Sequence, residues 1–470
     1  MRRFGFGFYI VVGLLSALPA WSLYAQDVGG AGQLNLPPLE RKLGVKTREF
    51  VLLPSLGLSY GYDTNLFYAA DNDYEKPLSA QGLWLSPGVS IRNRNTKNIK
   101  AVFDGKLDLN YYLSDSDAVK EHNAVGGNVG LAVTFFEKSA VALTLRERYR
   151  RTLERRDFET EQDFNRHMNR IGGGVLFRPG GRALTLKLDY DFAADLFSDT
   201  DEDWGDAIFH DIRFLGSWKF FPYTALVMDV NWQLRKYMAE GEGNYGELTN
   251  SMPLKARLGV NGFITKKLSV MAMVGYGNSF HDERALPTAA ELQLVKDSVG
   301  ASDAQLPTTD NESFNSVIGE ARVSMKFSKV TILQAGYQLD FNDSLFSNWV
   351  SYHKVYGNFQ QRIAKRVDLI VDVAYLYLTY AQLPAKFAVT PIVGLLSAFD
   401  RTDVILLGQV RAKVDITRWL GFELKYRLEM VNSLNSTTFG TRILNADGSP
   451  IDDYIEYNRH VVLGTLILRY

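Results

Sequence analysis

The sequence contains no cysteine. That absence excludes disulfide scaffolds, thiolate zinc sites, iron–sulfur clusters and thiol nucleophiles. It also excludes a lipid anchor on a cysteine at a cleavage site. Proline is scarce, 14 in 470 residues, and histidine scarcer, at six. Neither charge is in surplus: 52 Lys and Arg stand against 53 Asp and Glu. A nucleic-acid binder normally needs a basic surplus, so no nucleic-acid partner is expected. Past residue 25 no apolar run reaches the ~18 residues that a membrane helix needs. The longest, Phe387 to Phe399, is broken by Thr390, Pro391, Gly394 and Ser397.

What is plentiful is aromatic side chain and glycine: 24 Tyr, 28 Phe and 39 Gly. Mean hydropathy is slightly negative, which argues against a helical membrane protein. Aromatic-rich, glycine-rich, charge-balanced and cysteine-free is the composition of a large β-barrel of the bacterial outer membrane. Composition raises that expectation, and periodicity has to carry it.

Residues 1–25 read as an export signal. Met1-Arg2-Arg3 is basic, Phe4 to Leu15 is apolar but too short to span a bilayer, and Leu23-Tyr24-Ala25 precedes Gln26 as a cleavage site. The alternative is an uncleaved anchor. Residues 26–49, with Gly29-Gly30, Pro37-Pro38 and mixed charges, show no apolar period and read as a periplasmic tail, either a plain linker or a partner contact.

From residue 50 to 470 the pattern has a period of two, the mark of strands with two different faces. In 333–342, Leu333, Ala335, Tyr337, Leu339 and Phe341 alternate with Gln334, Gly336, Gln338, Asp340 and Asn342. In 184–192, Leu184, Leu186, Leu188, Tyr190 and Phe192 alternate with Thr185, Lys187, Asp189 and Asp191. In 422–430, Phe422, Leu424, Tyr426, Leu428 and Met430 alternate with Glu423, Lys425, Arg427 and Glu429. In 404–414, Val404, Leu406, Gly408, Val410, Ala412 and Val414 alternate with Gln409, Arg411 and Lys413. Many long strands, each with charge along a whole face, fit a barrel whose apolar face meets lipid and whose polar face lines the lumen.

The connections alternate as well. Eight are tight, from Asn95–Lys97 to Thr417–Trp419, and nine are mostly longer and polar. Short turns on one side and long loops on the other are the outer-membrane arrangement, with the turns periplasmic. The fold class expected is all-β: a single transmembrane antiparallel β-barrel of about 18 strands. The last strand ends on Tyr470, after His460, Val462, Gly464, Leu466 and Leu468. A terminal aromatic of this kind resembles the signal read by the barrel-assembly machinery, which makes that machinery an expected partner. Outer-membrane lipid and lipopolysaccharide are the others.

No catalytic set stands out. The histidines, His122, His167, His210, His281, His353 and His460, lie on six segments, none at metal-ligand spacing and none in a nucleophile motif. No cofactor or metal is expected. The acidic stretches Asp71-Asn72-Asp73 and Ser198 to Asp203 read as solvated loops, or as loops bridged to lipopolysaccharide by cations. The lumen is more informative. Arg146, Arg148 and Arg150 share an inward phase with Arg166 and Arg170, and the next strand turns Lys187, Asp189, Asp191 and Asp195 inward. Further pore-lining candidates are Gln338, Asp340, Arg411, Lys413, Glu423, Lys425 and Arg427. Two readings stay open: basic and acidic ladders that satisfy each other, or a track that concentrates an anionic solute. Trp84, Tyr112, Tyr352 and Tyr356 also fall on the inward phase, to stack on sugar rings or to pack under loops. The apolar loop 387–399 needs burial somewhere. Val389, Ile392, Leu395 and Leu396 are its candidate constriction residues.

The segment Leu53-Pro54-Ser55-Leu56-Gly57-Leu58-Ser59-Tyr60-Gly61-Tyr62-Asp63-Thr64-Asn65-Leu66-Phe67 resembles the first strand and loop of the second outer-membrane β-barrel porin family. Leu85-Ser86-Pro87-Gly88-Val89 and Tyr111-Tyr112 suit the same pattern. The likeness is specific over residues 50–115 and architectural beyond. It implies a link to exopolysaccharide secretion, with a periplasmic polysaccharide-export protein handing polymer to the barrel. The motif carries no catalytic residues. The function expected is therefore a translocation pore for a secreted exopolysaccharide. The alternatives are a passive or solute-specific uptake porin and, of another class, an outer-membrane enzyme or an adhesion barrel.

Overall fold

The structure is a computed structural model. It describes residues 45–46, 49–68, 76–94, 98–120, 122–152, 165–180, 183–198, 205–238, 249–282, 313–344, 348–364, 366–381, 383–384, 398–438 and 456–470. The export signal and all but the end of the periplasmic tail lie outside the described residues.

Alternating residues build eighteen long strands. They are β1 (Phe50–Asp63), β2 (Ala80–Asn93), β3 (Ile99–Leu113), β4 (Ala124–Phe135), β5 (Val141–Arg151), β6 (Arg166–Phe177), β7 (Leu184–Phe197), β8 (Ala207–Phe221) and β9 (Thr224–Tyr237). They continue as β10 (Leu254–Phe263), β11 (Leu268–Asn278), β12 (Asn315–Lys326), β13 (Thr331–Asp343), β14 (Trp349–Ile363), β15 (Val367–Tyr380), β16 (Ala398–Asp415), β17 (Leu420–Thr438) and β18 (Tyr457–Arg469). Two two-residue strands, Val45–Lys46 and Leu383–Pro384, extend β1 and β16. Among the described residues the only α-helix is Asp117–Lys120, in the connection after β3.

Every long strand pairs antiparallel with its chain neighbour, and β18 pairs with β1 from Ser55↔Arg469 to Asp63↔Val461. The sheet is thus closed and has no edge. In hydrocarbon no water is present to satisfy open backbone groups, so closure is what lets a sheet span a bilayer. The eight tight connections fall between even and odd strands, as the alternation predicts. The other nine, most of them longer, lie at the opposite end of the barrel.

Exposure then separates the two phases. Leu58, Leu107, Leu145, Val175, Leu188, Leu258, Val274, Val323, Val355, Val373, Leu406 and Leu424 are all bare large apolar side chains. They run round the whole circumference. A continuous apolar surface of that extent meets lipid, not water. The protein is therefore an integral, multi-pass barrel of the bacterial outer membrane. The opposite phase makes contacts that skip strands, which only the concave inner side allows. Lys255 on β10 lies 3.0 Å from Asp340 on β13. Arg235 on β9 lies 3.1 Å from Asp343, also on β13.

Phe341 departs from its expected phase. The alternation puts it on the lipid face, yet it is fully buried. Its ring stacks on Phe314 at 4.2 Å between centroids, with Lys255 Nζ 4.6 Å from its own centroid. Near the extracellular end of a strand, an aromatic that finds a ring and an ammonium inside gains more than one left at the rim.

The inner face has two buried clusters, one charged and one apolar. At the β1–β18 seam Arg459 holds Asp63 bidentately, at 2.9 Å from Nε to Oδ1 and 2.6 Å from Nη2 to Oδ2. The same guanidinium contacts the Tyr68 hydroxyl and ring, while Glu429 takes Arg427 at 2.6 Å and the Tyr457 hydroxyl at 2.9 Å. All four charged groups are buried. Further round, the inner face of β14 to β16 is apolar at Val350, Leu376, Leu378, Ile405 and Leu407, which form one buried cluster.

Candidate functional site

The wall of β5, β6 and β7 carries the densest set of inward charges. On β5 the inward positions are Ala142, Thr144, Arg146, Arg148 and Arg150. On β6 they are Arg166, Met168, Arg170, Gly172, Gly174 and Leu176, and on β7 they include Lys187, Asp189, Asp191 and Asp195.

Arg146 does not pair with its neighbour strand. Its register partner on β6 is Gly172, and beyond Gly172 on β7 lies Asp191. Arg146 Nε donates to Asp191 Oδ1 at 2.8 Å and Nη2 donates to Oδ2 at 2.6 Å. Nη1 donates to Asp189 Oδ1 at 2.7 Å. The guanidinium therefore reaches right across β6. It can do so because Gly172 and Gly174 have no side chain: a Cβ at either would overlap a carboxylate of Asp191 or Asp189. Lys187 closes the other side, with Nζ 2.6 Å from Asp189 Oδ2. Nearer the extracellular end Arg166 donates to Asp195 at 3.0 Å. Bidentate, charge-assisted pairs of this kind fix the side chains in place.

One pair of arginines is arranged differently. Arg148 and Arg170 stand directly opposite each other in the β5–β6 register. Both are exposed. Neither makes a hydrogen bond or ion pair among the described residues. Directly opposed side chains have Cβ atoms about 5 Å apart, and like charges so placed destabilise a sheet. Of the carboxylates nearby, Asp189 and Asp191 are already engaged by Arg146 and Lys187, while Asp211 on β8, which accepts from Asn231, attracts Arg170 through space. Arg150 continues the inward row, opposite Met168.

The other predicted positions lie elsewhere on the inner phase. Gln338 donates to the Tyr352 hydroxyl at 3.2 Å, and Asp340 takes Lys255 and Arg257. Arg411 and Lys413 on β16 stand opposite Lys425 and Glu423 on β17, and Arg427 bonds Glu429. Glu423, Lys425 and Arg427 are buried. These residues do not join the β5–β7 set into one site. The apolar constriction residues Val389, Ile392, Leu395 and Leu396 lie outside the described residues, as do the acidic stretches 71–73 and 199–203.

The inward aromatics pack among side chains. Trp84 meets Tyr112 edge-on at 5.9 Å, in a cluster with Leu66 and Val119. Tyr352 belongs to the apolar cluster of β14 to β16, and Tyr356 donates to Glu320 at 3.2 Å.

The fold does bring a serine, a histidine and an aspartate near one another. Ser251 and His281 share an isolated bridge, and Asp343 lies beside both. The Ser251 hydroxyl spends its one proton on Asp343, and His281 Nε2 is 3.9 Å from Asp343 Oδ1. A nucleophile needs its base within hydrogen-bond reach, and here the hydroxyl points to the carboxylate instead. Among the described residues no group of three His, Asp or Glu is placed to hold a metal ion.

The alternation located the charged positions but missed the glycines that let them meet. The signal was present as Gly172-Gly173-Gly174 inside an alternating strand, where glycine marks a close approach. We expect Gly172→Val to displace the Asp191 carboxylate and leave Arg146 held by Asp189 alone. Overpacking of this kind costs about 1–3 kcal/mol. Urea unfolding in detergent should show that loss, and Gly173→Ala, on the outward phase, should show far less.

No family model and no curated relative matches the sequence. Among solved structures the chain is similar to the outer membrane protein opdK from Pseudomonas aeruginosa, at 12% identity over 89% of this chain and 99% of that one, with a TM-score of 0.44. It is similar to OccAB3 of Acinetobacter baumannii, at 10% identity over 89% and 99%, with a TM-score of 0.45. It is also similar to OccK2 (OpdF) of Pseudomonas aeruginosa, at 11% identity over 89% and 98%, with a TM-score of 0.44.

Proposed function

We propose that the barrel is a porin for uptake of small anionic solutes, carboxylates foremost. The observation that carries this reading is the Arg148–Arg170 pair. Two opposed, exposed guanidiniums on a water-facing wall are unfavourable alone and favourable once a carboxylate lies between them. The neighbouring arginines add to the local positive potential, and a charged wall concentrates counter-charged solute. Arg146, Asp189 and Asp191 form the stiff backing that keeps the free pair from collapsing onto acid groups.

Export of a polysaccharide has less support. A sugar track needs aromatic faces turned to the path, and Trp84, Tyr112, Tyr352 and Tyr356 are engaged in side-chain packing or hydrogen bonds. An enzymatic reading lacks a connected nucleophile and base in the Ser251–His281–Asp343 group.

The test is reversal potential in planar bilayers. The native barrel should select anions, and the Arg148→Glu/Arg170→Glu variant should select cations. The shift should be larger at 0.01 M salt, where the screening length is ~30 Å, than at 0.1 M, where it is ~10 Å. In proteoliposomes gluconate entry should fall while entry of a neutral hexose holds. Unchanged selectivity would remove the pair from the conducting path. A deletion strain with polysaccharide trapped in its periplasm would restore the export reading.

A further inference from the structure

Four of the six histidines follow one rule. Tyr149 and His167, Tyr190 and His210, Tyr337 and His353, and Tyr426 and His460 each join a tyrosine hydroxyl to an imidazole Nδ1, at 2.6, 2.8, 2.7 and 2.8 Å. All eight residues are on the outward phase. Each tyrosine is on the strand that rises to an extracellular connection, and each histidine is on the strand that descends from it. In all four hairpins the tyrosine sits two residues before the position opposite the histidine. The same diagonal recurs in the β1–β2 hairpin, where Tyr60 donates to Gln81 at 2.6 Å. In the tautomer in which the tyrosine hydroxyl donates to Nδ1, Nε2 carries the ring proton, and among the described residues Nε2 has no hydrogen-bond partner.

One pair sits above a groove. On the outside of the β17–β18–β1 seam a hollow of about 450 Å³ is lined by Leu58, Tyr60, Phe422, Val462, Gly464 and Leu466. Gly464 forms its floor, and His460 lies on the same outward row of β18, four residues nearer the extracellular end. From His460 to Leu468 the strand climbs roughly 20 Å at ~3.3 Å per residue and a tilt of ~40°, so the imidazole stands near the top of a ~25 Å apolar band. That is the headgroup level of the outer leaflet.

We propose that this seam is a binding site for one lipopolysaccharide molecule. A single acyl chain lies in the Gly464 groove, and a phosphate of the acylated glucosamine headgroup accepts a hydrogen bond from His460 Nε2. The groove matches a hydrocarbon chain in being apolar along its length. The donor at its top matches an anionic oxygen, and Tyr426 holds it at a set angle. The extracellular leaflet is where phosphorylated glucosamine lipid resides.

Native mass spectrometry of the detergent-purified full-length barrel tests this, with bis-phosphorylated lipid A, its dephosphorylated form and phosphatidylglycerol as probes. The native barrel should retain one lipid A, at least about tenfold tighter than the dephosphorylated form, the factor expected for a hydrogen bond to a charged group. His460→Phe keeps a ring beside Tyr426 and should abolish that difference. Gly464→Leu should weaken both lipid A forms. It is sterically admissible, because a Cβ there meets Phe422 at 3.6 Å, an ordinary contact. His353→Phe should change nothing. Heat-modifiable gel migration checks that each variant is folded. Equal binding of the two lipid A forms by the native barrel, preference for phosphatidylglycerol, or unaltered binding by Gly464→Leu would overturn the proposal. So would a native dimer that Gly464→Leu dissolves, since a second copy would then cover the groove.

Discussion

Arg459→Met should lower the stability of the barrel by about 3–5 kcal/mol, because removing one partner of a buried ion pair leaves the other charge uncompensated. Asp63 is buried and receives two of its hydrogen bonds from this one guanidinium. Asp63 Oδ1 also accepts from the Asn65 backbone N–H at 3.1 Å. Glu429 loses a neighbour as well, 3.8 Å away. The damage falls on the strand pair that closes the sheet. Refolding yield into lipid vesicles and urea midpoint in detergent should both drop. The paired variant Arg459→Met/Asp63→Leu should recover much of the loss, since apolar groups of similar size replace a buried pair at little or no net cost. If the single variant unfolds like the native barrel, the seam is closed by its backbone ladder alone.

The second large effect is expected on the opposite phase. Leu188 is 49% exposed and stands between Val175 and Phe214, in the middle of the lipid face. Leu188→Arg places a charge there at a cost of ~2–4 kcal/mol near the midplane. Assembly in cells should fall, and the protein that reaches the membrane should be heat-labile on gels. Lys187→Ala, one residue away, should assemble normally. Lys187 is half exposed, and its bridge to Asp189 is screened and replaceable by water. Equal defects in the two variants would mean that the phases are exchanged.

Those two predictions mark what the sequence could and could not yield. Lys187 and Leu188 are told apart by a period of two, because lipid and water each demand one kind of side chain. Turn length orders the strands for the same reason, since backbone between strands is either short or looped. Register is another matter. It depends on which residue of one strand meets which of the next, and the alternation is blind to a slip of two. So the opposed Arg148 and Arg170, the bare path over Gly172 and Gly174, and the Tyr426–His460 diagonal became visible only with the pairing in hand. Phe341 failed for a third reason. Its phase was read from a strand taken to be regular to its end, while Phe314, which holds it, belongs to a distant connection.

The apolar inner cluster has a consequence for the chain before it is a barrel. On β15 the stretch from Val373 to Tyr380 carries no charge, and both of its faces are apolar: Val373, Tyr375 and Tyr377 outward, and Ala374, Leu376 and Leu378 inward. On most strands a charged inner row guards against sticking to another chain in water; β4 and β11 also lack charge, but glycines interrupt both. Here that guard is missing. A neutral, β-branched and aromatic segment of this length is the kind that self-associates in cross-β fashion. An unfolded chain crossing water therefore needs this segment shielded until it reaches the bilayer, and a charge at inward Leu376 should lower its aggregation before assembly.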